Sequence, residues 1–125
     1  MRKKKQKVPP ISQWEIELMQ VLWNADGVTI VQAQQAIDRP IGYTTVQTRL
    51  NRLVDKGLAQ KSPQRPTRYL AAVSPDAVSA GHLDLLLERV SDGNVIPLIA
   101  QLMKDRQFSS GEIRELKNLI KTAEQ

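Results

Sequence analysis

The sequence has no cysteine and a single histidine, His82. The first absence excludes a disulfide scaffold, a cysteine-ligated zinc or iron–sulfur site and a thiol nucleophile. The second excludes multi-histidine metal sites, and with no G-x-S-x-G elbow nothing supports a serine triad. Aromatic residues make up 4% of the 125 residues against 41% hydrophobic, so the core has to be aliphatic. No stretch approaches the roughly 20 apolar residues that cross a bilayer. Arg2, Lys3, Lys4, Lys5 and Lys7 are followed by Val8-Pro9-Pro10 and not by an apolar run, which is not a secretory pattern. The expectation is a soluble cytoplasmic protein of one domain or two very small ones, with no cofactor, no metal, no membrane insertion and no catalytic constellation.

What is present is unevenly distributed. Residues 1–73 carry 12 basic and 5 acidic side chains, whereas residues 74–125 carry 6 basic and 8 acidic. A basic half joined to a mildly acidic half suits a chain whose first part meets a polyanion. Residues 1–10 read as a flexible basic arm. Ser12 with Glu15, Thr29 with Gln32, Thr44 with Gln47 and Ser109 with Glu112 each have the spacing of a capping box and predict four helix starts. The first helix runs about 12 residues to Asp26-Gly27, and Val28 starts a short extended piece. The second helix is stopped by Pro40, and the third ends at Lys56-Gly57. Residues 58–62 and 67–71 then read as strands around the turn Pro63-Gln64-Arg65-Pro66. The order helix, helix, helix, hairpin over residues 11–73 is that of a winged helix-turn-helix, and the fold class is mainly α with a small β-hairpin.

The third helix is the candidate reading element. Val46, Leu50, Leu53 and Val54 share one side and must face the core, while Thr44, Thr48, Asn51, Arg52 and Asp55 lie opposite, flanked by Thr45 and Arg49. Thr44, Thr45, Gln47 and Thr48 supply the medium-length hydrogen-bonding groups that a major groove needs. Gln47 has two incompatible uses, closing the capping box or reading a base. Arg49 and Arg52 can reach phosphate or guanine, and the hairpin brings Lys61, Arg65 and Arg68 to backbone phosphates. A solvated helix face and a solubilised turn are the plain alternatives.

Residues 74–125 predict three helices, over 76–91, 95–105 and from Ser109 onward. Leu83, Leu86, Leu87 and Val90, then Ile96, Ile99, Leu102 and Met103, then Ile113, Leu116 and Ile120 make apolar faces too wide for helices buried on one side. A second copy of the chain would cover them and set two reading helices on a palindrome; packing onto the N-terminal domain of the same chain is the alternative. His82 reads as surface or interface packing.

Ile11-Ser12, Trp14-Glu15, Met19, Leu22-Trp23, the run from Thr44 to Leu53 and Lys56-Gly57-Leu58 together resemble the penicillinase-repressor family, the bacterial beta-lactamase and methicillin-resistance repressors. The resemblance covers nearly the whole chain from residue 11. It implies a homodimeric winged-helix repressor of resistance genes on AT-rich inverted repeats. Thr45, Gln47, Thr48 and Arg52 fall on the DNA-contacting helix, Lys61 and Arg68 on the wing, and residues 74–125 on the dimerisation domain. It also implies release by a membrane sensor-protease that cuts an Asn-Phe bond; here Gln101-Leu102 stands at that place, a departure from the pattern. The copper-sensing branch, which uses cysteine pairs, is excluded. A winged helix can instead serve as a protein-interaction module without sequence-specific DNA binding, and the positive balance of residues 1–73 is what weighs against that alternative.

Overall fold

A computed structural model describes residues 8–125. The first three helices are α1 (Gln13–Trp23), α2 (Ile30–Ala36) and α3 (Tyr43–Asp55). A hairpin of β1 (Ala59–Lys61) and β2 (Tyr69–Ala71) follows, and then α4 (Pro75–Arg89), α5 (Ile96–Met103) and α6 (Ser110–Ala123). Capping boxes open three of them: Ser12 with Glu15, Thr29 with Gln32 and Ser109 with Glu112 each satisfy one another's backbone N–H. The box expected at Thr44 and Gln47 does not form. Gly42, in an extended conformation, is the N-cap of α3 and offers no side chain, so helix begins a residue ahead of Thr44 and both expected partners lie inside it.

The chain separates into two compact units, one ending at Leu86 and the other running from Leu87 to Gln125. In the first, Leu18, Met19 and Leu22 of α1 and Val46, Leu50 and Leu53 of α3 are the largest fully buried side chains. Ala33, Leu58, Ala59 and Tyr69 join them in one cluster. Full burial of each such leucine contributes on the order of 1.5–3 kcal/mol, which is what holds these short elements together. β1 and β2 pair antiparallel with Gln60 opposite Leu70. The extended piece expected at Val28 is present: its N–H donates to the Tyr69 carbonyl at 3.0 Å and its carbonyl accepts from the Tyr69 N–H at 2.7 Å. The Trp23 indole donates to the Val73 carbonyl at 2.8 Å and ties the end of α1 to the chain leaving the hairpin.

Of the expected basic arm, residues 1–7 lie outside the described residues, and residues 8–10 are not loose at their start. Val8 is buried and its N–H donates to the Ala77 carbonyl at 3.1 Å. Gly81 permits this approach: a Cβ there would lie 1.6 Å from the Val8 carbonyl oxygen. His82 accepts a hydrogen bond from the Ile11 N–H at 3.2 Å through Nε2, so it joins the start of α1 to α4.

Among the described residues Glu15 is the one buried charged residue, at 2% exposure. One carboxylate oxygen caps α1 by accepting from the Ser12 N–H at 2.8 Å, and the other pairs with Lys56 just past the end of α3. Burial pushes its carboxyl up, but the Lys56 ammonium and the Ser12 groups outweigh that and hold it below its ordinary value. A carboxylate with a lowered folded-state pKa contributes stability above the ordinary value of 4.5 and loses it as pH falls through the folded value. Glu15→Gln keeps the cap and removes the charge. It should destabilise by roughly 1–2 kcal/mol at neutral pH, the lower part of the range for charged hydrogen bonds because Lys56 is half in solvent. Melting curves should show the gap to the unmodified chain closing in acid; a gap independent of pH would contradict the pairing.

Candidate nucleic-acid interface

The surface that α3 turns to solvent is built by its buried side. With Val46, Leu50 and Leu53 inaccessible, the helix cannot roll, and Tyr43, Thr44, Thr45, Gln47, Thr48 and Arg52 are held outward. Gln47, relieved of capping, lines a groove between the start of α2, α3 and the hairpin, together with Thr29, Tyr43, Asn51, Lys61 and Tyr69. Tyr43, which the sequence placed in a tight connection, is the first residue of α3 and 46% exposed, so it belongs with the outward set. Its position one turn before Gln47 would have shown this had the helix start been placed at Gly42.

The remaining candidates divide. Arg49 is half-buried, its guanidinium 5.2 Å from the centre of the Trp14 ring, and so leans toward α1. Asn51 is half-buried and its Oδ1 accepts from the Tyr69 hydroxyl at 3.1 Å, across to the hairpin. Lys61 is exposed with its ammonium 5.9 Å from the Tyr69 ring centre. Arg65 stands exposed in the connection between the strands. Arg68 is half-buried and reaches back to the Gly27 carbonyl at 3.4 Å, where Gly27 turns the chain after α1 at φ +89°. A side chain at that φ is strained, so glycine suits the turn. Burial raises the Tyr69 phenol above its ordinary value against the pull of the Asn51 hydrogen bond, and the neighbouring Tyr43 adds to the rise. A neutral, hydrogen-bonded phenol therefore underlies the hairpin, while cations and outward α3 side chains face solvent around it.

In the C-terminal part, Leu83, Leu86, Val90, Ile96, Ile99, Leu102, Met103, Ile113 and Ile120 are exposed, and Leu87 and Leu116 are half-buried. Gln101 is exposed beside Leu102 on α5. Among the described residues no helix is long and apolar enough to cross a membrane, and no cluster of His, Asp and Glu could hold a metal ion.

The sequence model of the penicillinase repressor family matches residues 11–122. The chain is 22% identical over 120 residues to the penicillinase repressor of Bacillus licheniformis, covering 91% of each protein. Its structure is similar to the solution structure of the Bacillus licheniformis BlaI monomeric form in complex with the blaP half-operator. The TM-score is 0.50 and the identity 24%, over 58% of this chain and 92% of that one. That likeness extends to the winged-helix fold described above.

Proposed function

The chain belongs to the penicillinase repressor family, a family of transcriptional repressors and not of enzymes, and on that premise we propose that it acts in the cytoplasm as a homodimer on palindromic operator DNA. In this reading α3 enters the major groove and the hairpin is the wing on the phosphates. The observation that carries it is the two-sidedness of α3. One side is locked in the core, and the other presents Tyr43, Thr44, Thr45, Gln47, Thr48 and Arg52 outward. Lys61 lines the same groove as Tyr43 and Gln47, and Arg65 stands exposed in the connection between the strands. The related BlaI was solved as a monomeric form on a half-operator; carried over, one copy of this chain meets one half-site. Residues 11–73 are then the DNA-binding domain and residues 74–125 the dimerisation domain, where the exposed apolar residues of α4, α5 and α6 would be covered by a second copy. Gln101-Leu102, exposed on α5, stands where the resemblance puts the Asn-Phe bond cut by a sensor-protease, but as a different pair, so the signal that ends repression is not assigned to it.

The test is selection of duplexes from a random pool by the full chain, followed by titration of the selected duplex. Arg52→Ala and Thr48→Ala should each weaken binding to it by about 1–3 kcal/mol and relax the selected sequence at one position. Arg65→Ala should weaken binding to selected and scrambled duplexes alike and lower the salt slope by about 1. Equal affinity of the unmodified chain for selected and scrambled duplexes would overturn the proposal.

A further inference from the structure

Two strands of three residues do not hold a hairpin in place by themselves. This one is held at the loop end of its strands by Tyr69, which pairs with Lys61, is 3% exposed and is bonded through both backbone groups to Val28. Its hydroxyl crosses to Asn51 on α3, one helical turn beyond Gln47 on the same side of the helix. The same ring carries the Lys61 ammonium over its face. One residue thus joins the extended piece before α2 through its backbone, and the helix α3 and a cation of the hairpin through its side chain. We propose, on the repressor reading, that the Tyr69–Asn51 hydrogen bond is a clamp that sets the spacing between the wing cations and the base-reading side chains, and that Asn51 is a positioning residue that contacts no base.

Reading requires α3 to sit at a fixed depth while the wing reaches a phosphate, and the two requirements are met together at one separation only. Asn51 is on the outward-leaning side, yet its acceptor is turned to the hairpin. Removing either partner leaves the other without its hydrogen bond in a partly buried place, and the loop end of the hairpin is then free to shift against α3.

Tyr69→Phe and Asn51→Ala in the full chain test this, with the duplex selected by the unmodified chain as probe. Tyr69→Phe retains the buried ring, and Asn51→Ala removes the other partner without touching the hairpin. Each should lose about 3–10-fold in affinity, the range of one net hydrogen bond. Hydroxyl-radical protection should weaken at the phosphates that depend on Arg65 and persist at the centre of each half-site. The double variant should be no weaker than the weaker single, and a fresh selection with Asn51→Ala should return the same sequence. A fold-only role would lower protection uniformly. The clamp is overturned, with the repressor reading intact, if Asn51→Ala relaxes one base position that Tyr69→Phe leaves alone, or if Tyr69→Phe leaves wing protection unchanged. If the unmodified chain selects no sequence, the repressor reading fails and the clamp with it.

Discussion

Ile99→Glu combined with Leu102→Glu is expected to leave a folded chain that sediments as a monomer and binds a palindromic operator about 10²–10⁴-fold more weakly, while its affinity for a half-site is unchanged. Both positions lie three residues apart on one face of α5, at 43% and 54% exposure in the single chain. Charges placed there meet water in a monomer and cost the fold little. In a dimer they would be taken out of water without partners, which an apolar interface does not tolerate. The size of the loss follows from what the second half-site contributes: once one half is bound, the other binds at the high local concentration that the dimer imposes. Equilibrium sedimentation with titrations on full and half palindromes checks it. A variant that remains dimeric would place the contact elsewhere on α4 or α6, and a dimer absent from the unmodified chain would remove the palindrome from the function.

Leu50→Ala should be among the most damaging single truncations in the first unit. Leu50 is fully buried, on the inner side of α3. Large-to-small changes at such positions cost about 2–5 kcal/mol, because the lost transfer energy is joined by the cavity left behind. Against a total of about 5–15 kcal/mol for a domain of ordinary stability, this is a large share. Thr48→Ala, two residues earlier and exposed, should alter stability by no more than about 0.5 kcal/mol while weakening DNA binding. Chemical denaturation of the two variants side by side separates the inner face of α3 from the outer. A loss below about 1 kcal/mol for Leu50→Ala would mean that α3 is not seated as described.

What the sequence displayed well was local. The boxes at Ser12, Thr29 and Ser109 are visible because donor and acceptor lie three residues apart, and the alternation of Val46, Leu50 and Leu53 with polar residues orients α3 before any partner is known. Thr44 with Gln47 misled for the same local reason. The pattern also occurs inside a helix, and only the extended backbone at Gly42 decides that helix has already begun. The links that shape the candidate surface join residues far apart in the chain. Lys56 reaches Glu15, Tyr69 reaches Asn51, Trp23 reaches Val73 and His82 reaches Ile11. No periodicity marks such pairs, so Glu15 read as a cap alone, and Asn51 and Arg49 read as free to meet a ligand.

The double use of Glu15 bears on how this scaffold could be re-targeted. Exchanging α3 for that of another repressor is the obvious way to change the DNA sequence preferred. Yet α3 is tied to α1 twice, by Arg49 over Trp14 and by Lys56 just past its end on Glu15. A graft ending at Asp55 keeps the second tie, whereas one that replaces residues 43–56 and brings another residue to position 56 strands a carboxylate in the core. The portable cassette is therefore the outward set alone, Tyr43, Thr44, Thr45, Gln47, Thr48 and Arg52, written onto a helix whose inner face and two ties remain those of this chain.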